Sequence, residues 1–332
     1  MSNPVLVEVT RGGAVESRHR GSVAVVDADG VAVLALGDVE EPVFPRSAVK
    51  ALQALPLVES GIADRFGLAA DEIALCCASH SGEPVHAAAS ASMLRKAGRD
   101  ASALECGAHW PMFDKAARAL ALAGAEPSAL HNNCSGKHAG FICLACGLDE
   151  DPAGYIAPAH PVQREIRGAL EEMTGCTQRE DLRGVDGCSI PTYATPLAAL
   201  ALGFARFGSG VGMGRERARA AGRIRAAVAA HPHMVAGTGR FDTVAMTALG
   251  ARAFTKTGAE AVFCAALPEL GLGVALKIDD GGTRASEAVM AALLQRFLRP
   301  EGHAGEVIGR LARQRLTNWN GIEVGEVAAV GL

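Results

Sequence analysis

Apolar positions along this chain fall into a strand pattern at both ends and a helical pattern between. Residues 5–9, 22–26 and 31–36 are rich in β-branched side chains and read as short strands. Asp27, Asp29 and Gly30 supply a turn between the last two. From Pro45 to about Ala205 the pattern is mainly helical. Residues 116–123 form one Ala-rich stretch, and 162–173 form another that follows His160-Pro161, as helix starts often do. Apolar runs bounded by Gly, Pro and Asp return at 261–266 and 273–278, and Asp279-Asp280-Gly281-Gly282 turns the chain into a last helix over 285–297. Gly-rich residues 208–214 read as a flexible loop. The pattern predicts an α/β (α+β) fold in which strands from both chain ends join one antiparallel sheet with helices packed on it. No repeat, low-complexity tract or long polar linker interrupts it, and the length permits one large domain or two modest ones.

Composition narrows the classes. With 332 residues, 49% of them hydrophobic, the chain can bury a large core without staples. Aromatics are only 4%, so that core is mostly Ala, Leu and Val. A net charge of -4 with no long basic run argues against a nucleic-acid partner. The N-terminus shows no secretion pattern, and no run approaches the roughly 18 apolar residues that span a bilayer; a cytoplasmic location away from membranes is expected. Nine cysteines then read as free thiols or metal ligands rather than a disulfide framework. Cys76, Cys143, Cys146 and Cys264 read as small buried hydrophobes.

Candidate chemistry begins at residues 44–50, FPRSAVK. Pro45 suits the first turn of a helix, and Ser47 and Lys50, three apart, share a helical face. A serine hydroxyl needs a base to take its proton, and a neutral lysine amine can serve. Arg46 and the helix N-terminus add positive potential. A surface lysine beside a capping serine fits the same spacing. At residues 79–84, SHSGEP, a buried run stops just before a helical pattern. Ser79, His80 and Ser81 cluster there, in a place suited to binding and catalysis; backbone N–H groups near Ser47 or Ser79 are the expected oxyanion donors. A helix cap explains Ser81 equally. Lys256-Thr257-Gly258, just before an apolar strand, is similar to the triplet that faces S-x-x-K in serine penicillin-recognising enzymes. Of six lysines, Lys50, Lys137 and Lys256 lie in polar Gly- or Ser-containing motifs, while Lys96, Lys115 and Lys277 read as surface residues. The polar island 131–140, HNNCSGKHAG, and the later VDGCSIP at 185–191 offer Cys134, His138 and Cys188 as zinc ligands by spacing; two buried thiols and a hydrogen-bonded histidine fit as well.

These segments together resemble the rhizobial-type, thermolabile L-asparaginases, also called asparaginase II. The matching stretches are 45–50 (PRSAVK), 78–86 (ASHSGEPVH), 132–140 (NNCSGKHAG), 185–191 (VDGCSIP), 237–243 (GTGRFDT), 256–263 (KTGAEAVF) and 272–281 (LGVALKIDDG), in order through almost the whole chain. The resemblance implies a single-domain fold over residues 1–332 similar to serine β-lactamases and penicillin-binding proteins, a homodimer, and hydrolysis of L-asparagine to aspartate and ammonia. It implies two serine–lysine tandems, Ser47 with Lys50 and Ser79 with Lys256. It implies a zinc ion on Cys134, Lys137 and Cys188, with Asp186 nearby, that assists substrate binding rather than performing the hydrolysis. Ser189 and Ala261 stand where glycine is expected.

In the expected mechanism Ser47 attacks the side-chain amide, neutral Lys50 takes its proton, and Lys256 holds Ser79, which relays protons; attack from Ser79 stays open. A lysine base implies an alkaline optimum. Arg46 is a candidate for the substrate carboxylate, with His80, Ser81 and Asp186 as further substrate contacts. The alternatives are a penicillin-recognising hydrolase or transpeptidase, and a non-catalytic zinc-binding protein.

Overall fold

The computed structural model describes residues 2–332. Two compact units divide the chain: one takes the segment up to Ala48, Thr195–Ser209 and Val244–Leu332, the other Val49–Ala194 and Gly210–Thr243. Each unit is assembled from separated segments of the chain.

The first unit is built on a sheet of eight strands: β1 (Val5–Arg11), β2 (Ala14–Asp27), β3 (Ala32–Leu36), β4 (Phe254–Thr257), β5 (Val262–Leu267), β6 (Leu272–Ile278), β7 (Arg313–Thr317) and β8 (Glu323–Ala329). Their order is β7-β8-β1-β2-β6-β5-β4, with β3 on β2. Every pairing is antiparallel, so strands from both chain ends do meet in one sheet. The long β2 explains its curl. Residues 14–20 pair with β1, while 21–27 pair with β6 and also carry β3. Central β5 and β6 are buried at nearly every position, which is why they read as continuous apolar runs, whereas edge strand β7 alternates. The Leu197–Ser209 helix packs on β2, β5 and β6, and the Thr283–Leu298 helix on β1, β5, β6 and β8. Gly273 of β6 allows the first helix its close approach: a Cβ there would meet the Ala201 carbonyl oxygen at 1.9 Å.

The helix predicted over 285–297 spans Thr283–Leu298, but it is not the last element. Arg299 stops it in a left-handed conformation, Gly302–Ala312 forms another helix, and the β7–β8 hairpin returns the chain to β1. The hairpin escapes detection because Arg-Gln-Arg-Leu-Thr has little apolar signal.

The second unit is helical. At its centre the Ser135–Gly147 helix is buried continuously from Ser135 to Ala145. It packs on the helices Leu55–Glu59, Ile62–Arg65, Ala70–Cys76, Pro84–Lys96 and Pro161–Thr174. Its glycines permit this: a Cβ on Gly136 would meet Leu75 Cγ at 2.3 Å, and one on Gly140 would meet Cys76 Sγ at 3.0 Å. His160 caps the predicted Pro161–Thr174 helix by accepting from the Val162 N–H. The Ala-rich prediction is the Asp114–Leu122 helix, which buries no residue. The expected loop begins at residue 210, where the Leu197–Ser209 helix has ended. Among the described residues no helix is long and apolar enough to cross a membrane.

Lys96 is exposed as expected, and there it pairs with the buried Glu72 carboxylate at 2.5 Å and the Gly67 carbonyl. Two expectations need correction. Lys277 donates to the carbonyls of Glu260 and Ile278, and burial holds it below its ordinary value. Cys76, Cys143 and Cys264 are buried as expected, but Cys146 is half-buried.

Candidate active site

In the helical unit, Lys50 opens the short Lys50–Gln53 helix and is 1% exposed. An ammonium taken out of water needs every donor satisfied. Lys50 Nζ is directed to three acceptors: the Ala78 carbonyl at 2.6 Å, Ser79 Oγ at 2.9 Å and Cys134 Sγ at 3.1 Å. Within this unit the serine that Lys50 reaches is Ser79. If the amine is neutral, two N–H groups suffice for the carbonyl and the thiol, and the lone pair faces the Ser79 hydroxyl.

The Ser79 loop is tied down on all sides. Ser79 N–H donates to the Val235 carbonyl and His80 N–H to the Asn133 carbonyl, while Ser81 Oγ donates to the Ala236 carbonyl at 2.7 Å. The first two bonds use the backbone donors that the sequence offered for an oxyanion; at these two residues the N–H groups hold the loop instead. His80 is fully buried. Its Nδ1 accepts from Gly82 N–H and its Nε2 lies 2.9 Å from Ser135 Oγ, so the ring braces the loop with both nitrogens engaged. Burial, with His86 and Lys50 nearby, pushes His80 well below its ordinary value and keeps it neutral. Gly237 (φ +105°) belongs to the same brace, since a Cβ there would meet Ser81 Oγ at 2.4 Å.

Beyond Lys50 lies a second polar group. The hairpin of Arg183–Val185 with Pro191–Tyr193 holds a turn in which Asp186 N–H donates to the Ile190 carbonyl, and this turn presents Asp186 and Cys188. One ligand atom each from Cys134, Asp186 and Cys188 falls within 4.8 Å of the others. Lys137 Nζ lies 3.0 Å from Cys188 Sγ, and Cys188 Sγ lies 3.1 Å from Asp186 Oδ2. In the thiol pair, the hydrogen bond with Cys188 draws Cys134 well below its ordinary value, against burial, while the same bond and burial raise Cys188. Burial alone would lower Lys137, but Cys188, Cys134 and Asp186 outweigh it and hold it above its ordinary value. A divalent cation in the cluster would reverse that field and release the lysine proton. Two sulfurs, a carboxylate and an amine this close fit a borderline-soft ion such as zinc. His138, a ligand candidate by spacing, faces elsewhere: its Nδ1 lies 2.6 Å from the Tyr155 hydroxyl and its Nε2 is buried without a partner.

In the sheet unit, Ser47 is half-buried in a 3-10 turn, Arg46–Val49, that begins with Arg46 in a left-handed conformation (φ +49°). The expected α-helical first turn is absent, and the four-residue Lys50–Gln53 helix is too short to supply the anticipated macrodipole. Gly258 packs on this turn: a Cβ there would meet the Pro45 carbonyl at 2.8 Å. The Lys-Thr-Gly strand end and the turn carrying Ser47 are thus neighbours. Lys256 is fully buried in β4, with Nζ 2.6 Å from the Thr257 carbonyl. Arg46 lines a cavity of about 650 Å³ with Asp38, Glu41, Glu260 and Asp279. The glycine-expected positions explain themselves: Ser189 (φ +77°) and Ala261 (φ +56°) both sit in left-handed backbone.

Sequence reasoning passed over Glu83, His86 and Ser135. At the start of the Pro84–Lys96 helix Glu83 N–H donates to His86 Nδ1, a spacing visible in GEPVH; Ser135 meets both His80 and Ser90. A search of curated proteins finds no match to this chain. The profile of the L-asparaginase II family, however, matches residues 7–329, nearly the full length. The chain belongs to the L-asparaginase II family and is an amidohydrolase of that kind.

Proposed function

We propose that this enzyme hydrolyses L-asparagine to L-aspartate and ammonia through a serine deprotonated by Lys50, and that Ser79 is that serine. The carrying observation is the 2.9 Å approach of Lys50 Nζ to Ser79 Oγ inside a buried cluster. The amine takes the hydroxyl proton as Oγ attacks the side-chain amide carbon, and the protonated amine returns a proton to the departing ammonia. Water then attacks the acyl-enzyme, the amine accepts its proton and passes it to the departing Ser79 Oγ, and aspartate leaves with the hydroxyl and the neutral amine restored. A positioned base of this kind contributes about 10²–10⁴-fold. His80 and Ser81 act on this reading by fixing the loop, and Asp186 remains the substrate-contact candidate from the metal turn. Ser47 and Lys256 take part in the same hydrolysis as members of the tandems that the resemblance implies, Ser47 with Lys50 and Ser79 with Lys256, and Arg46 is the candidate for the substrate carboxylate.

Cys134, Lys137 and Cys188, with Asp186, would hold zinc. When bound, the ion supplies a fixed positive charge that helps retain the substrate. The reading also takes in the serine β-lactamase-like fold, a homodimer and a cytoplasmic setting. The antiparallel sheet with packed helices supports the first of these.

Ammonia release from asparagine and glutamine, with and without a chelator, tests the reading. Asparagine turnover with a chelator-dependent rise in KM and little change in kcat is the expected result. Cleavage of nitrocefin without ammonia release would instead favour the penicillin-recognising alternative. Mass spectrometry of a trapped acyl-enzyme locates the adduct, expected on Ser79; an adduct on Ser47 would move the attack there.

A further inference from the structure

Three imidazoles stack in the helical unit, apart from the sulfur cluster. His80 and His86 lie with ring centroids 4.8 Å apart, and His86 and His233 lie 5.2 Å apart, each pair 12° from parallel. Glu83 closes the outer end of the stack, its Oε2 3.5 Å from His233 Nε2. One ligand atom each from Glu83, His86 and His233 falls within 4.8 Å of the others.

We infer that Glu83, His86 and His233 form a second divalent-metal site, of nitrogen and oxygen donors, separate from the Cys134–Cys188 cluster. Two histidines and one carboxylate are a donor set suited to zinc and its neighbours. The surrounding bonds are those that orient metal ligands. Both Glu83 oxygens accept from Thr238, Oε1 from its N–H at 2.7 Å and Oε2 from its hydroxyl at 2.8 Å, and each retains lone-pair capacity. His86 Nδ1 accepts from Glu83 N–H at 3.2 Å, which places the ring proton on Nε2, where it donates to the His233 carbonyl at 3.1 Å. That tautomer leaves the His86 lone pair on Nδ1, the ligand nitrogen. An ion there displaces only the long bond from Glu83 N–H. The His233 side chain is 41% exposed and gives the ion a path from solvent, while the Glu83 side chain is 12% exposed and supplies a shielded negative charge.

Titration of the full chain with Co²⁺, followed by absorbance, separates the two sites, because only thiolate ligands give sulfur-to-cobalt charge-transfer bands. The wild type is expected to take up two equivalents, one with such a band and one with ligand-field bands alone. Cys134→Ser/Cys188→Ser should keep only the second, and His233→Ala only the first. Glu83→Gln, which preserves shape, should weaken the second equivalent by more than about tenfold and guards against a folding defect in the alanine variant. Absence of an equivalent lacking charge-transfer bands in the wild type, or its persistence at unchanged affinity in both His233→Ala and Glu83→Gln, overturns the site.

Discussion

The buried strands β5 and β6 of the sheet unit are built from Val, Phe, Cys, Ala, Leu and Ile, with Gly273 where a helix comes close. The most buried helix of the helical unit instead begins Ser135-Gly136-Lys137-His138, every one of them inaccessible or nearly so. The first core rests on apolar burial and tolerates changes that keep volume. The second carries charge and hydrogen-bonding groups in its interior, and apart from atoms such as His138 Nε2 they are held there by specific partners. The helical unit thus gives up interchangeability and gains a site in which an amine, two thiols and a hydroxyl are held in fixed positions by buried partners.

Exchanging one buried group in each unit breaks this contrast most directly. Lys50→Met keeps much of the volume but removes the amine, and ammonia release is expected to fall by about 10³-fold or more. Cys264→Val in β5, a swap of similar size, should cost less than about 1.5 kcal/mol of stability and leave turnover unchanged. Kinetics and urea melts of the two variants check both halves. A Lys50→Met enzyme with near-normal turnover would end the serine–lysine reading.

A smaller effect follows from the buried histidine of the helical unit. His80 is held well below its ordinary value by burial, so as pH falls the unfolded chain binds a proton before the folded one does. The stability His80 contributes as a neutral ring is present above about pH 6.5 and is lost as pH drops below it, at about 1.4 kcal/mol per pH unit for one proton. Urea midpoints between pH 5 and 7.5 should show this slope, and His80→Gln should flatten it by one proton. An unchanged slope in the variant would mean that His80 is protonated in the folded enzyme.

The smallest effect is one the two units share. Ser189 and Ala261 occupy left-handed backbone without being glycine. Ala261→Gly in the sheet unit and Ser189→Gly in the helical unit should each raise stability by about 1 kcal/mol, the relief of strain being partly offset by a freer unfolded chain. Thermal unfolding of both measures it. A gain at Ala261 alone would show that the Ser189 side chain gives back by its contacts what its backbone loses.

Much of the sheet unit was legible in the chain itself. Period-two and continuous apolar runs follow from which faces of a strand are covered, so residues 5–9, 22–26 and 273–278 announce their strands before any partner is known. The motif residues were legible too, as polar islands and as an ordered family pattern. What no local pattern held was which of them would meet. Lys50 stands three residues from Ser47, yet its bonds run to Ser79, 29 residues on, and Cys134, 84 residues on. Lys137 finds Cys188 across 51 residues, and Ser81 finds the Ala236 carbonyl across 155. The polar start of the Ser135–Gly147 helix read as a polar island whose partners were open for the same reason: side-chain polarity is a property of the residue, but its compensation inside a core comes from whatever tertiary packing brings alongside.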